Sequence, residues 1–580
     1  MRKYILLLII IAAFPRLLLL DTIPAGINFE EIDYILNAKT LFVAGTDISG
    51  QWNPLTLSTP PADEPRGELL PLIIAPIIGP LPFSLFNSRL PFALVGIFNV
   101  ILIYFLARKL FTERIGRIAG IVAAINPWLI FSSRLGYDVP TSATLFLFAL
   151  VLLVYLRGWS ILLAFIPLFL AFYTYIGAKI IFLPFTLLSV WYAWKEKRKK
   201  FTRPYLVVVL LTTLTLFIFI FRLRDLPANT RSTNFFSPSH ADVTAQVDTQ
   251  RYQNLTVKTP FSLLNTIYVN KITVYFKETL NRALGAISPS VLFSRGDPYA
   301  PYYLWDHGLF YYSDALFLLI GFLVLVHQHS KVARFFALLF PVVILLSLAS
   351  GTQLSYVYRS YLLYVLLIVV VALGINQLLV LYKNRQRLLL LLLSLIYIFQ
   401  FGNFAQDYFL RNPFYHESQF QLSSRLLSRY LVEESKAGRE IIVIGADPNG
   451  LFRQYILYSG LFDRLSDQRV RRQIAVKFQT KTYSWDNVTF TADCELASFS
   501  GDKTMVHRPD KPCQRIYEFT QEAPIGIAHI SDSGKDFWIY FGKTCRQYDL
   551  PKYIRQVNFS DLQVEKISLE KYCQTFFEID

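Results

Sequence analysis

Long uncharged apolar runs recur along roughly the first 410 residues, separated by short polar turns. The first starts at Tyr4 behind Met1-Arg2-Lys3, is interrupted at Pro15-Arg16 and resumes through Leu20. Others occupy 90–111, 117–133, 141–156, 159–175, 180–194, 205–221, 308–326, 335–350, 360–381 and 388–404. About 17–25 apolar residues carry a helix across a bilayer, so the pattern predicts about eleven transmembrane helices. No small-residue cleavage site follows the first run, which therefore reads as a retained helix and not a signal peptide. The run Leu69–Phe86 is apolar but holds four prolines. Proline inside a helix removes a hydrogen bond and clashes with the preceding turn, so this stretch reads as a re-entrant or interfacial segment on the outer face.

From about residue 411 the period changes. Gln419–Lys436 is amphipathic, REIIVIGADPNG reads as a buried strand entering a turn with a helix behind it, and Ile525–Ile530, Phe537–Phe541 and Tyr553–Phe559 alternate as strands do. The expected fold class is an α-helical polytopic membrane protein with a C-terminal soluble α+β domain. Residues 1–410 form the membrane module, with outer loops 21–88 and 222–306, and 411–580 form the soluble domain.

Composition agrees: of 580 residues, 53% are hydrophobic and only 17% charged, which excludes a disordered chain and argues against a soluble enzyme. The net charge of +16 raises nucleic-acid binding. With the N-terminus in the cytoplasm, however, Arg2, Lys3 and the inward turns, KEKRKKFTR (195–203) among them, together hold 18 basic residues and two acids, Glu113 and Glu196. The remaining 39 basic and 39 acidic residues cancel. The excess is the positive-inside signal, and no nucleic-acid surface remains. Cys494, Cys513, Cys545 and Cys573 all fall in the outward C-terminal region, which suggests two disulfides. Nearest-neighbour pairing, Cys494–Cys513 and Cys545–Cys573, is the expected one of three connectivities.

Ionisable groups near lipid are costly and mark functional sites. Four clusters crowd the outer helix ends: Asn28 to Tyr34 with Glu30, Glu31 and Asp33; Ser88-Arg89; Ser132 to Asp138 with Arg134 and Tyr137; and Tyr173, Tyr175 and Lys179 grouped with Tyr356, Tyr358 and Arg359. Carboxylates at Glu30 and Asp138 suit general-base work on a hydroxyl. Cations at Arg89, Arg134, Lys179 and Arg359 suit a phosphate leaving group. The competing reading makes Glu31 and Asp33 a solvated helix start, the arginines snorkelling anchors and the tyrosines an interfacial belt. Glu68 with His307 leaves a divalent metal open; no other cofactor is indicated.

These residues carry a resemblance. Ile23-Pro24 through Glu30-Glu31 to Tyr34, with Gly45-Thr-Asp47, Gly50 and Pro54, resembles the first outer loop of membrane glycosyltransferases that use polyprenyl-phosphate sugars: the protein O-mannosyltransferase and aminoarabinose-transferase-like families of the GT-C fold. Ser88-Arg89-Leu90-Pro91, Asn126-Pro127-Trp128 to Arg134, Tyr175 to Pro184 and Asn403-Phe404 to Phe409 are similar to the same families, in order, over residues 1–415. The resemblance implies a GT-C fold and transfer of a sugar, with inversion, from a polyprenyl-phosphate donor to a hydroxyl of an acceptor protein, lipid or glycan at the outer face of a bacterial-type inner membrane. It implies catalytic roles for Glu30, Glu31 and Asp138, and donor-phosphate contacts from Arg89, Arg134, Lys179 and Arg359. Arg66 stands near the family's lysine before the Pro-rich segment, and Tyr34, Tyr137, Tyr175 and Tyr358 stand as substrate contacts. A lipid or sugar transporter, or flippase, and a non-catalytic scaffold are the alternatives. A transporter would show two related halves with mid-span polar groups, and no internal symmetry is visible.

Overall fold

The computed structural model describes the chain except residues 1, 58–66, 198–201, 224–239, 257–261, 298–303, 305–306, 349–355, 495–502, 514–522, 533, 552–556 and 580. Its contacts separate two compact units. One comprises Met1–Arg16, Leu57–Leu70 and Phe92–Phe404, and the other Leu17–Thr56, Pro71–Pro91 and Ala405–Asp580. Part of the first outer loop thus folds with the C-terminal residues, where the sequence reading had placed it in the membrane module.

Among the described residues every predicted span falls mainly on helix. The first ten helices are α1 (Arg2–Leu17), α2 (Phe29–Ala44), α3 (Leu70–Ile78), α4 (Leu85–Leu110), α5 (Glu113–Ile125), α6 (Pro127–Ser132), α7 (Asp138–Tyr155), α8 (Phe165–Thr174), α9 (Ala178–Glu196) and α10 (Thr202–Leu223). Then come α11 (Lys271–Ala286), α12 (Tyr312–Gln328), α13 (Ser330–Leu348), α14 (Tyr356–Arg359), α15 (Tyr361–Leu381) and α16 (Gln386–Ala405). Among the described residues, five helices are long and apolar enough to cross a membrane: those containing Leu85–Leu110, Asp138–Tyr155, Thr202–Arg222, Tyr361–Leu381 and the stretch within Lys383–Tyr415. The one complete helix in the Pro-rich run is α3, nine residues long, less than half the about 20 residues a span requires, and α4 begins at the run's end with Leu85.

In the first unit α15 is buried along most of its length and packs closely on α12. A Cβ on Gly321 would meet the Val370 carbonyl oxygen at 2.0 Å, and one on Gly374 the Phe317 carbonyl oxygen at 1.9 Å. Small residues on both helices therefore let the backbones touch, the usual means of packing where lipid gives no hydrophobic drive. The predicted span 117–133 is divided at Asn126-Pro127. Asn126 Oδ1 accepts from Leu129 N at 3.0 Å as N-cap of α6, and Nδ2 donates to Leu309 O at 3.0 Å. Pro127 occupies the helix start, where its missing N–H costs nothing. The break is buried in protein, the condition under which irregular backbone is tolerated at such depth.

In the second unit a seven-stranded sheet runs in the order β2-β3-β1-β4-β6-β5-β7. Its strands are β1 (Ile441–Ile444), β2 (Tyr483–Trp485), β3 (Val488–Thr491), β4 (Thr504–His507), β5 (Ile525–Ala528), β6 (Lys535–Tyr540) and β7 (Phe577–Ile579). β1 is parallel to β3 and β4 and buried throughout, as an all-apolar IIVI run between covered faces requires; the other pairs are antiparallel. Helices α17 (Leu422–Ser435), α18 (Pro448–Tyr458), α19 (Leu461–Arg464) and α20 (Gln468–Thr480) accompany it. Three predicted strands are β1, β5 and β6. Of the fourth, Tyr553–Phe559, residues 553–556 lie outside the described residues and Phe559 opens a short 3₁₀ helix. Both disulfides pair as expected, Cys494–Cys513 and Cys545–Cys573.

One carboxylate stitches α17 to the sheet side. Buried Glu434 accepts from Thr504 Oγ1 at 2.6 Å, Lys543 N at 3.1 Å and Thr544 N at 2.8 Å. Near the β5–β6 turn, His529 stands 3.1 Å from Asp536 and 2.9 Å from Asp532. The Asp536 contact leads in pushing its imidazole up from 6.5 to about 9. A raised folded-state value stabilises the fold fully below the unfolded value, near 6.5, and that contribution fades as pH climbs through about 9. The thermal midpoint of the purified protein should therefore fall between pH 6.5 and 9, and His529→Gln should flatten that part of the profile; an unchanged slope in the variant would contradict the pairing.

Candidate functional site

In the second unit the chain enters α2 through a loop whose carbonyls are taken by buried arginines. Arg89, fully buried, donates Nη1 to Pro24 O at 2.7 Å and Nη2 to Gly26 O. Arg425, paired with Glu565, donates Nη1 to the intervening Ala25 O. A Cβ on Gly26 would meet Phe420 O at 2.2 Å, so the loop admits only glycine there. Asn28 then caps α2: its Oδ1 accepts from Glu30 N at 3.1 Å, and Glu31 Oε2 accepts from Asn28 N at 2.9 Å, a capping box.

This cap separates the two predicted acids. Glu31 is fully buried and works as a cap, whereas Glu30 is exposed in the first turn of α2, where the helix dipole favours negative charge. Asp33, two per cent exposed, pairs with Arg453 Nη1 at 2.8 Å, and Arg453 in turn stacks on Phe478. The solvated helix start considered for Glu31 and Asp33 is thus corrected: both are interior. Tyr34 is buried as well.

In the first unit two arginines interlock helix ends. Arg16, at the end of α1, donates Nη1 to Ala12 O and Ala124 O, both at 2.9 Å, and Nη2 to Ala123 O at 3.3 Å. Arg134 returns the contact, donating Nη1 to Pro15 O and Arg16 O, both at 3.0 Å. Both guanidiniums are fully buried. Helix C-termini leave carbonyls without intrahelical partners, and these arginines supply the donors. Beyond them, Asp138 opens α7, half-buried, and Tyr358 Oη donates to its Oδ1 at 3.3 Å. The Tyr137 ring meets that of Tyr358 edge-on at 5.4 Å. Tyr358 N donates to Oδ2 of fully buried Asp297 at 3.1 Å. Sequence reasoning missed Asp297; the signal lay in the Gly296-Asp297 pair, where Gly296 takes φ +71°. Tyr175 and Arg359 meet on one narrow, mostly apolar cleft with Val139, Ser142, Ala178 and Leu362.

Lys179, at the start of α9, forms a buried ion pair with Glu68 at 2.9 Å, their side chains 9% and 1% exposed. Its ammonium also lies 5.0 Å from the Phe219 ring centre and 5.4 Å from that of Phe172. Burial raises the Glu68 carboxyl above its ordinary range, with Lys179 pulling the other way. Arg66 lies outside the described residues, and among the described residues no three His, Cys, Asp or Glu side chains stand together as a metal site. Removing one partner of a buried pair strands a charge at a cost of about 3–5 kcal/mol, whereas replacing both is far cheaper. Glu68→Gln and Lys179→Met should each lower the thermal midpoint sharply and the double variant should recover most of the loss; additive losses in the unfolding scan would contradict the pair.

Residues 70–221 match the family model of dolichyl-phosphate-mannose-protein mannosyltransferase. No protein of curated function matches the sequence. Among solved structures the chain is similar to the apo oligosaccharyltransferase of Archaeoglobus fulgidus at 14% identity and TM-score 0.43, covering 79% of this chain and 64% of that one, less than two thirds of its length. It is also similar to ArnT from Cupriavidus metallidurans bound to undecaprenyl phosphate, at 11% identity and TM-score 0.46, over 93% of this chain and 98% of that one. A third is the archaeal oligosaccharyltransferase AglB from Archaeoglobus fulgidus in complex with an inhibitory peptide and a dolichol-phosphate, at 12% identity and TM-score 0.43, over 92% and 74%. Within the stretch running from α3 to α10 the chain is thus similar to the dolichyl-phosphate-mannose-protein mannosyltransferase family.

Proposed function

We propose that the protein transfers a sugar from a polyprenyl-phosphate donor to an acceptor hydroxyl on the extracytoplasmic side of a bacterial-type inner membrane, with its N-terminus in the cytoplasm. The charge asymmetry of the turns supports the orientation, and the paired cysteines fit an oxidising outer compartment. The observation that carries the reading is the division of labour at α2: Glu31 is consumed by the cap, and the capped first turn presents Glu30 exposed.

In this reaction the acceptor oxygen attacks the anomeric carbon as the bond from that carbon to the phosphate oxygen breaks. The polyprenyl phosphate leaves with the bonding electrons, the configuration inverts and Glu30 takes the hydroxyl proton. Asp138, oriented by Tyr358, is a second acid for positioning. Of the cations, Lys179 and Arg359 are the better candidates for the phosphate, with Arg66 a further one; Arg89 and Arg134 are engaged with backbone carbonyls. The Glu68 carboxylate fills the place beside Lys179 that a phosphate would take on donor binding.

Losing a general base costs about 10²–10⁴-fold in rate. Glu30→Gln, assayed in detergent with undecaprenyl- and dolichyl-phosphate hexoses, should lose turnover on that scale while still binding undecaprenyl phosphate. Wild-type turnover in the variant would remove Glu30 from the base role.

A further inference from the structure

The second unit holds a cleft of about 260 Å³ that none of the candidate catalytic or phosphate-binding residues lines. One wall is the end of α2 and the loop after it (Thr40, Ala44, Thr46, Asp47, Ile48 and Gly50); the other is Leu465 and α20, with Gln468, Arg471, Arg472, Ile474 and Ala475. The loop is preformed. Asp47 Oδ1 accepts from Gln51 N at 3.1 Å and Trp52 N at 3.0 Å, its Oδ2 accepts from Ser49 Oγ at 2.7 Å, and Gln479 Nε2 donates to Ser49 O at 3.2 Å. The one carboxylate in the cleft is therefore occupied by its own turn.

Charge on the other wall is one-sided. Between Leu461 and Lys481 six basic residues (Arg464, Arg469, Arg471, Arg472, Lys477 and Lys481) face two acids, Asp463 and Asp467. Both acids are engaged: Asp463 accepts from Phe83 N at 2.7 Å and Asp467 from Arg469 N at 2.8 Å. Arg471 is fixed by donating Nη1 to Leu465 O and Ser466 O at 2.8 and 2.9 Å, and Arg472 is exposed. Two guanidiniums beside the Thr46 hydroxyl, the Gln468 amide and an apolar floor of Ile48 and Ala475 suit a small ligand that is both hydroxylated and anionic. The volume lies just below the range of about 300–1,000 Å³ common for small-molecule pockets, which fits one or two sugar rings. The basic residues thus cluster on and around α20, and two of them, Arg471 and Arg472, line the cleft.

We propose that this cleft binds an acceptor glycan through an anionic group, a sugar phosphate or a sugar carboxylate. The proposal deepens the acceptor side of the function proposed above and rests on it. The test is calorimetric titration of the full chain in detergent with glucose 6-phosphate and glucuronate, with glucose and inorganic phosphate as controls and undecaprenyl phosphate titrated in parallel. The wild type should bind the anionic sugars saturably and glucose not at all. Arg472→Glu should weaken that binding by at least about tenfold, the scale of one charged hydrogen bond. Arg469→Glu, exposed on the same helix but outside the cleft, should match the wild type within a factor of about two. Undecaprenyl phosphate should bind all three proteins alike, so that failure of donor binding, which concerns the reaction itself, is read apart from failure at the cleft. Absence of saturable binding of both anionic sugars, equal weakening by the two substitutions, or inorganic phosphate binding as tightly as glucose 6-phosphate would each overturn the proposal.

Discussion

The candidate acids stand where they do because buried guanidinium groups bond to backbone carbonyls that no helix or strand can satisfy. A carbonyl withdrawn from water without a donor costs several kcal/mol in an apolar medium, and in the hydrocarbon region no water is present to help. Arginine answers this with five N–H groups in a rigid fork that reaches two or three carbonyls at once. Arg16 and Arg134 tie the ends of α1 and α5 to each other in the first unit, and Arg89 and Arg425 hold three successive carbonyls before α2 in the second.

These bonds sort the charged residues at the helix ends into two kinds. Arg16, Arg89 and Arg134 are fully buried scaffolding. Lys179 and Arg359 are less enclosed, the first balanced by Glu68 and the second on the wall of a cleft with Tyr175. The acids divide the same way: Glu31 and Asp33 are spent on a cap and an ion pair, while Glu30 is exposed and Asp138 half-buried. Chemistry of the kind proposed needs a few charges held precisely and near solvent, and the buried ones provide that hold.

Much of this was legible in the sequence, because the bilayer imposes a long period that survives any detail of packing. The helical runs, the turn to a mixed domain near residue 411, the strand IIVI and both disulfides follow from the hydrophobic pattern and from an even cysteine count confined to one region. The roles of Glu30 and Glu31 were separable too: Asn28-x-x-Glu31 is a capping-box spacing, and a cap carboxylate is committed to the backbone. Other features depend on contacts between distant residues and leave no local mark. Asp33 meets Arg453 across 420 positions, and Asp297 reaches Tyr358 across 61. The break at Asn126-Pro127 had a turn signal of its own, but it lies inside an apolar run long enough to read as one span. The β2–β3 hairpin turns at Asp486-Asn487 without the glycine that usually betrays such a turn.

The scaffolding role of the buried arginines is tested most directly at Arg89. Arg89→Lys keeps the positive charge but offers a single ammonium, which cannot reproduce the fork across Pro24 O and Gly26 O. Thermal stability and undecaprenyl-phosphate affinity should be measured on the same preparation. The expected result is a lowered melting temperature with donor affinity unchanged; full stability with weakened donor binding would show instead that Arg89 holds the phosphate.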